Sequence, residues 1–428
     1  MTLSKQARRH GGFMATAIRS KSSPAFLVSN LPQKQQQANE EQDEDLNNVP
    51  SCDDIVDLRK LKDKNELSQV VLTIAQKVLP EWKNATQVIL DRVSGAMTNA
   101  VYFMSAPDLP RVLLRVYGIG ADQIVDRQHE LEWLARLSTM STTKSPQLLA
   151  TFGNGRFEEY LESTTLTHAD LHDPEMSCQI ARSLRQLHDV VQDYPPPEEQ
   201  AQNGDSTASF RIETWKNISQ WYTYMREELL TQEEWKQKLE FLQVDKLPRE
   251  IELCKNYIQK YPSPIIFAHN DTQYGNVLQL EKTGELVVVD FEYAGYNPRG
   301  FDIANHFCEW MYDYHGPNPA SMDLDQFPTD EEQLRFLTAY IEADNEEEQH
   351  EEDSETKINN MTKDMDAKTL QQEVLRWIMV PHLMWALWGL VQASQSEIDF
   401  DYFHYFTQRL QRFRKHLYEA LEEEEQRR

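Results

Sequence analysis

Three polar residues near the middle of the chain have the types and spacing that phosphoryl transfer from ATP requires. Asp271 follows the apolar run Ile265–Ala268, Asn276 comes five positions later, and Asp290 ends a second apolar run at 286–289. An aspartate can orient or deprotonate an attacking hydroxyl, while an asparagine and a second aspartate hold the magnesium that accompanies the triphosphate. The spacing therefore predicts a kinase of small molecules or proteins that uses ATP and Mg²⁺.

A predicted hairpin explains the distance between the two metal-ligand candidates. Asn276 begins the short strand Val277–Leu280, residues 281–284 (Glu-Lys-Thr-Gly) have a turn composition, and 285–289 return antiparallel. Such a hairpin brings Asn276 and Asp290 to the same mouth, where their oxygens can share a magnesium ion.

A second group of residues has the chemistry of a nucleotide site. The small-residue turn 94–99 lies between two predicted strands and lets backbone N–H groups approach phosphates. Arg115 on the next strand is the candidate phosphate cation, because a guanidinium binds two phosphate oxygens at once. Glu130 on the following helix, with Glu132 as the alternative, is expected to hold Arg115 in place.

The connection between two lobes is expected at 158–161, with its backbone facing adenine and with Leu148 and Phe152 as pocket walls. The residues expected to contact ATP are Ser94, Gly95, Met97, Thr98, Asn99, Arg115, Glu130, Glu159 and Leu161.

The elements that must position these residues fall into a β-rich part and a helical part. The β-rich part is predicted as helix 67–79, strands 88–92, 101–104 and 111–118, helix 126–137, and strands 148–152 and 155–161. After residue 161 the apolar spacing is helical, apart from the strands between 265 and 290. This order predicts an α+β fold of the two-lobed, protein-kinase-like class, with a small antiparallel-sheet N-lobe (61–161) and a mainly helical C-lobe (162–428).

Two segments have compositions that argue against packed structure. Residues 1–39 contain Lys and Arg but no acidic residue, which fits a mitochondrial presequence or a disordered basic arm. We expect residues 1–60 to form a disordered arm. The acidic stretch 344–366 is predicted to be a flexible insert in the C-lobe.

Length, charge and cysteines exclude several classes of protein. At 428 residues the chain suits one two-lobed unit, and a net charge of -27 without a basic stripe excludes a nucleic-acid partner. The four cysteines have no paired spacing, which indicates a reducing compartment and a cytoplasmic protein. The apolar run 378–393 contains Pro381 and is short for a bilayer span, so it predicts a buried helix and no transmembrane segment.

The stretch 291–314, FEYAGYNPRGFDIANHFCEWMYDY, resembles the choline/ethanolamine kinase family. The resemblance extends with weaker motifs from about Leu67 to the C-terminus, leaving out the first sixty or so residues and the acidic insert. That family has the protein-kinase-like fold and phosphorylates the hydroxyl of choline or ethanolamine with Mg-ATP. The resemblance also suggests a homodimer.

By position, the resemblance implies Asp271 as the catalytic residue, Asn276 and Asp290 as magnesium ligands, and Arg115 paired with Glu130 at the phosphates. It implies an acceptor pocket formed by Tyr293, Glu309, Tyr314, Trp385, Trp388 and Tyr405.

The aromatic residues justify such a pocket on chemical grounds. A quaternary ammonium has no N–H to donate, so aromatic faces and a nearby carboxylate recognise it. Trp385 and Trp388 lie three apart and share one helix face, although helical Trp pairs commonly serve only as core. Asp302 is expected to fix the catalytic loop from beneath. The residues favour choline as acceptor, with ethanolamine or dual use as the alternative.

Overall fold

The computed structural model describes residues 46–61, 63–93, 99–117, 126–140, 144–196, 212–347, 365–396 and 398–427. The first part of the chain forms a six-stranded sheet in the order β1-β5-β6-β4-β3-β2. Its strands are β1 (Ser51–Cys52), β2 (Ile89–Arg92), β3 (Asn99–Ser105), β4 (Val112–Tyr117), β5 (Leu148–Phe152) and β6 (Gly155–Glu159). All neighbours are antiparallel except β1, which pairs in parallel with β5.

Two helices accompany this sheet, at the places where the apolar spacing predicts them. Helix α1 (Lys64–Val78) begins at Asp63, whose carboxylate accepts two backbone N–H groups, and it packs its apolar face on the sheet. Helix α2 (Arg127–Thr139) packs differently. Its Trp133 ring lies 4.1 Å from the ring of Phe267, in the second part of the chain, so α2 joins the two lobes through apolar contacts.

The second part of the chain is mainly helical. Its helices are α3 (His168–His172), α4 (Pro174–Asp193), α5 (Glu213–Tyr224), α6 (Glu233–Glu240), α7 (Leu247–Ile258), α8 (Arg299–Glu309), α9 (Asp330–Glu347), α10 (Ala367–Trp377), α11 (Met379–Gln395) and α12 (Tyr402–Arg427). Its strands are β7 (Ser163–Thr165), β8 (Ile265–Ala268), β9 (Val277–Leu280), β10 (Leu286–Val288) and β11 (Gly295–Pro298). They form one sheet of order β10-β9-β7 and the pair β11-β8.

Helix α11 is the centre of the C-lobe core. It is apolar on all sides and buried from Met379 to Gln392, and it packs against α12, α5 and α8. Pro381 lies in its first turn, where a backbone N–H has no helical partner to lose. Within the described residues, only Ala367–Gln395 is long and apolar enough to cross a membrane, and 89% of its apolar window is buried inside the fold. The predicted buried helix is therefore confirmed.

The predicted disordered arm is wrong for its last residues. Cys52 pairs with Phe152 on the edge of β5, and Val56 is 1% exposed. The side chain of Asn154 binds both the N–H and the carbonyl of Val56, at 2.8 and 2.9 Å. These residues are ordered because they cover an otherwise open edge of β5. The composition of residues 1–60 does not indicate this distant contact. Residues 1–45 lie outside the described part of the chain.

The acidic insert is only partly covered by the structure. Helix α9 continues to Glu347, three residues beyond the predicted start of the flexible segment. At the other end, the Asp366 side chain accepts the N–H of Thr369 and caps α10. Residues 348–364 lie outside the described part.

Candidate active site

The loop after β8 is fixed from beneath by a buried carboxylate. Asp302, in the first turn of α8, accepts the N–H groups of His269 and Asn270 at 3.0 and 2.7 Å. His188 Nε2 lies 2.9 Å from the same side chain. Burial opposes ionisation of Asp302, but the contact with His188 and the bonds from the loop outweigh it and lower its pKa. The role expected for Asp302 is confirmed.

Asn270 turns the chain so that Asp271 emerges into the cleft. Its φ of 66° lies in the left-handed region, which asparagine tolerates better than most residues. Its amide donates to the carbonyl of Tyr293 at 2.8 Å and accepts from Asn297 at 2.6 Å. Asn305 donates to its backbone carbonyl at 3.0 Å. These contacts tie the loop to the segment 293–297 and to α8.

His269 connects this loop to the strand that carries the second aspartate. Its Nε2 donates to the carbonyl of Val289 at 3.0 Å, and its Nδ1 accepts from the N–H of Asp271 at 3.3 Å, which assigns the tautomer. Burial lowers the pKa of His269, so the ring is neutral. The sequence shows His269 only as part of a His-Asn-Asp turn, and its bridging contact depends on the neighbouring strand.

Asp271 has the environment of a general base. Asn276 Nδ2 donates to both the backbone carbonyl and Oδ2 of Asp271, each at 2.9 Å. Burial, and then the carboxylates of Glu309 and Asp290, raise the pKa of Asp271 well above its usual value. A raised pKa makes this carboxylate a better proton acceptor near neutral pH.

The hairpin predicted between Asn276 and Asp290 is present. Val277 pairs with Val288, and Gly284 makes the turn with a φ of 73°. The N–H of Val289 donates to the carbonyl of Asn276 at 2.9 Å, so the two metal-ligand candidates leave the hairpin side by side.

Asn276 and Asp290 suit Mg²⁺ by their donor atoms, an amide oxygen and a carboxylate. Among the described residues, no group of three or more His, Cys, Asp or Glu could hold a metal. Magnesium is commonly bound by one or two protein oxygens together with nucleotide phosphates and water. The pair therefore fits a magnesium ion that arrives with ATP.

Arg115 has a different partner from the predicted Glu130. Its Nε lies 2.9 Å from Glu158 Oε1, and its Nη1 lies 3.4 Å from Asp290 Oδ1. Glu130 instead contacts Arg156 at 2.6 Å and Arg127 at 2.9 Å, and it is fully buried. The predicted Arg115–Glu130 pair is thus wrong.

The register of the sheet explains why Arg115 pairs with Glu158 and not with Glu130. Arg115 and Arg156 lie directly opposite each other on β4 and β6. Two guanidinium groups in that position repel each other. Glu158 is two residues from Arg156 and therefore on the same face, so its carboxylate lies between the two cations. The alternation Arg-x-Glu at 156–158 was the available signal in the sequence.

One cleft of about 1140 Å³ collects most of the predicted site residues. Those that line it are Arg115, Glu159, Leu161, Asp271, Asn276, Asp290, Tyr293, Glu309, Tyr314, Trp385, Trp388 and Tyr405. Ser94, Gly95, Met97 and Thr98 lie outside the described residues, as does the side chain of Asn99, whose backbone begins β3. Glu130 lies in α2, behind the described wall of the cleft.

The apolar wall on the nucleotide side also differs from the prediction. Phe103 and Leu113 line the cleft, whereas Leu148 and Phe152 pack in two hydrophobic clusters of the core. Successive strand residues point to opposite faces, so an apolar pattern alone does not say which face meets the ligand.

The acceptor end of the cleft is formed by aromatic rings with fixed orientations. Trp385 Nε1 donates to Asn305 at 2.7 Å, and Trp388 Nε1 donates to the hydroxyl of Tyr293 at 2.8 Å. The rings of Trp385 and Trp388 lie 5.4 Å apart at 81°, and those of Tyr293 and Trp385 lie 5.2 Å apart at 82°. Rings at right angles present faces on more than one side of a small ligand.

Glu309 is paired within the protein. Its Oε1 lies 2.5 Å from Arg409 Nη2, and its Oε2 accepts from the hydroxyl of Tyr314 at 2.5 Å. The Arg409 guanidinium lies over the rings of Tyr312 and Tyr405, at 4.5 and 5.0 Å. Arg409 is not among the residues that the sequence motifs indicate. Its position among apolar neighbours on α12 was a signal, because a buried arginine needs an acidic partner.

Comparison with known proteins places the chain in a family. A family model described as "Choline/ethanolamine kinase" matches residues 90–414. The chain belongs to the choline/ethanolamine kinase family. The resemblance seen in the sequence is therefore confirmed.

Several members of the family show how far the similarity extends. "Probable choline kinase 2" from Arabidopsis thaliana is 33% identical over 357 residues, covering 81% of this chain and 91% of that protein. The human "Choline/ethanolamine kinase" is 33% identical over 336 residues, covering 74% and 78%. The crystal structure of choline kinase from Cryptosporidium parvum superposes with a TM-score of 0.60 over 83% of this chain and 96% of that one, at 23% identity. The predicted protein-kinase-like fold is confirmed.

Proposed function

We propose that this family member is a choline kinase: it transfers the γ-phosphoryl group of ATP to the hydroxyl of choline, giving ADP and phosphocholine. One observation carries the proposal. The same cleft joins the carboxylate of Asp271 to the phosphate-cation candidate Arg115 on one side and to the aromatic pair Trp385 and Trp388 on the other. A base, a phosphate site and a cation-binding wall are the three parts that this reaction needs.

The residues divide the work of an in-line transfer. Arg115, held by Glu158, binds phosphate oxygens. Asn276 and Asp290 would hold Mg²⁺, which would neutralise charge on the phosphates. Asp271 accepts the proton of the acceptor hydroxyl while the oxygen of that hydroxyl forms a bond to the γ-phosphorus. The bond from that phosphorus to the bridging oxygen breaks, and ADP leaves with the electron pair.

The acceptor end favours a quaternary over a primary ammonium. A primary ammonium has three N–H donors that need acceptors, whereas a quaternary ammonium needs only aromatic faces and space. Arg409 and the hydroxyl of Tyr314 already bond the carboxylate of Glu309, while the rings of Trp385 and Trp388 line the pocket. Choline is therefore the preferred acceptor. Use of ethanolamine as well is the alternative, since the human relative is named for both.

The cysteines bear on the cellular compartment of the enzyme. Of the described cysteines none forms a disulfide, and burial raises the pKa of Cys254 and of Cys308 to about 12. Unpaired cysteines support a reducing compartment such as the cytoplasm. A homodimer is supported by the resemblance alone, and light scattering coupled to gel filtration measures it directly.

A transfer assay with radiolabelled ATP tests the reaction. The acceptors are choline, ethanolamine and its mono- and dimethyl forms, and kcat/KM is measured for each with Mg²⁺ and with EDTA. We expect kcat/KM to rise with methylation, and EDTA to abolish transfer. A higher kcat/KM for ethanolamine would establish the alternative, and transfer to none of the four would refute the proposal. Asp271→Ala, prepared in parallel, excludes a contaminating kinase.

A further inference from the structure

A continuous series of ion pairs, buried at its centre and half-buried at its ends, connects the two sides of the nucleotide site. It runs through Asp290, Arg115, Glu158, Arg156, Glu130, Arg127 and Glu292, and we call it the charge chain. The distances in that order are 3.4, 2.9, 2.5, 2.6, 2.9 and 3.1 Å. Its ends, Asp290 and Glu292, lie two positions apart in the sequence. The charge chain therefore leaves the C-lobe, passes through the N-lobe sheet and helix α2, and returns to the segment where it began.

The inner members act from behind the wall of the cleft. Arg156 is 1% exposed and Glu130 is fully buried, and neither lines the described cleft. Burial opposes ionisation of Glu130, but Arg156 and Arg127 outweigh it and lower its pKa to about 2. Glu130 is therefore charged, and removing one partner of this buried pair would leave the other charge uncompensated.

Arg127 is the member that closes the charge chain across the lobes. Its Nη1 lies 2.9 Å from Glu130, on its own helix, and 3.1 Å from Glu292, which follows β10 in the C-lobe. Its guanidinium also lies 4.8 Å from the centre of the Tyr117 ring at the end of β4. The hydroxyl of Tyr117 accepts from Arg156 at 3.0 Å. Arg127 thus links β4 and α2 to the segment that follows β10 and contains Asp290 and Glu292.

We propose that Arg127 is a positioning residue for ATP. It acts through the charge chain to keep Arg115, on the N-lobe sheet, in register with Asp290, on the C-lobe hairpin. This inference rests on the ATP site proposed above. Preorganised charges bind a ligand more tightly because they need no reordering when it arrives. Loss of Arg127 should therefore weaken ATP binding even though the residue lies behind the wall of the cleft.

Arg127→Gln and Arg127→Lys test this, with Arg136→Gln as the matched control. Arg136 lies on the same helix, is 5% exposed and stacks over Trp133 at 4.7 Å, but it is not a member of the charge chain. We expect Arg127→Gln to raise both the Kd of a non-hydrolysable ATP analogue and the KM for ATP by roughly tenfold. The KM for choline should rise less than the KM for ATP, since Arg127 does not line the described cleft and approaches the acceptor wall through Glu292, the neighbour of Tyr293. Arg127→Lys should have an intermediate effect, because lysine keeps the positive charge but lacks the planar guanidinium that contacts Glu130 and Glu292 together.

A double-mutant cycle asks whether the charge chain acts as a unit. Arg127 and Glu158 are separated by two other members, so independent ion pairs would give additive effects of Arg127→Gln and Glu158→Gln on the Kd for the analogue. We expect the double variant to bind the analogue several-fold more tightly than the sum of the two single effects predicts. The reason is that either substitution alone already loosens the position of Arg115.

Three results would overturn the inference: an unchanged Kd in a folded Arg127→Gln, an equal rise in Arg136→Gln, or additivity in the cycle. If Arg127→Gln does not fold, Arg127→Lys decides, and an unchanged Kd there overturns it. Because analogue binding is measured without any acceptor, the outcome is separate from the test of choline transfer.

Discussion

At Asp271 the proposed chemistry opposes the stability of the fold. Asn276 donates a hydrogen bond to the Asp271 carboxylate at 2.9 Å, while burial and nearby carboxylates disfavour the charged form of Asp271. A buried carboxylate with a raised pKa destabilises the fold, and such residues are typical of functional sites.

Replacing Asp271 by Asn is expected to remove activity and add stability. The folded-state pKa is raised, so between about pH 4 and that pKa the unfolded chain binds fewer protons than the folded one, and stability falls as pH rises. Asp271→Asn should raise Tm at pH 7.5, with the difference shrinking toward pH 4, and should lower kcat by at least about 10²-fold. Differential scanning fluorimetry without nucleotide measures Tm. Asp325→Asn, at an exposed position, should leave Tm unchanged; a lower Tm for Asp271→Asn would contradict the prediction.

A substitution at Trp388 distinguishes a role in ligand binding from a role in the core. Removing an aromatic face that binds a cation costs about 1–2 kcal/mol, so Trp388→Ala should raise the KM for choline roughly tenfold and the KM for ATP much less. Trp377→Ala is the control, because Trp377 is 3% exposed and does not line the described cleft. Steady-state kinetics with each substrate varied gives both KM values. Equal increases for choline and ATP in Trp388→Ala would indicate a core role instead.

Helix α8 carries both ends of the site on one element. Its first turn holds Asp302, which fixes the catalytic loop, and its last residue is Glu309, in the acceptor pocket. The helix is 11 residues long and buried throughout, so the loop and the pocket are separated by a rigid distance.

Asp302→Asn tests how firmly the helix holds the loop. The carboxylate accepts two backbone N–H groups and contacts His188, and an amide has one oxygen for these three partners. We expect the free energy of unfolding to fall by about 2–4 kcal/mol and kcat to fall with it. Asp401→Asn is the matched control, since Asp401 accepts the N–H of His404 at an exposed helix start, where asparagine serves as well. Urea denaturation measures the free energy of unfolding of both variants. Equal losses in Asp302→Asn and Asp401→Asn would refute the role of Asp302 in fixing the loop.

Some elements follow from local patterns and others do not. The hairpin β9–β10 and the capped helices depend on residues within a few positions of each other, so their turn and cap signals are visible in the sequence. Strand β1 is only two residues long, in a polar segment, and it exists because β5 has an edge to cover.

At the scale of the whole molecule, neutral histidines that are buried (His306, His382) or half-buried (His416) make the fold sensitive to acid. Burial lowers the pKa of His306 and of His416 to about 4, and it lowers that of His382 well below its usual value. Below about pH 6.5 the unfolded chain therefore binds protons that the folded chain cannot, and stability falls as pH falls.

The loss should reach about 2 kcal/mol at pH 5 for each such histidine, against full stability above pH 7. His416→Gln should reduce the slope of unfolding free energy against pH by one histidine's share. Urea denaturation at pH 7.5, 6 and 5 measures the slope. A stability that stays constant over this range would contradict the prediction.

What the sequence by itself determined is the chemistry that is local along the chain. Asp271, Asn276 and Asp290 lie within 20 positions, and a strand, a turn and a hairpin are enough to place them together. The two tryptophans are three positions apart on a helix, so their common face follows from its period. The family followed from the stretch 291–314 for the same reason, since its motif is contiguous.

The tertiary structure decided which distant groups meet. Glu158 rather than Glu130 holds Arg115 because of the register of β4 and β6, and Arg409 reaches Glu309 across 100 positions. Periodicity states which face of an element a residue occupies, but it does not state which element packs against that face. For buried charges the partner determines the role, so the assignments of Arg115, Glu130 and Glu309 needed the fold.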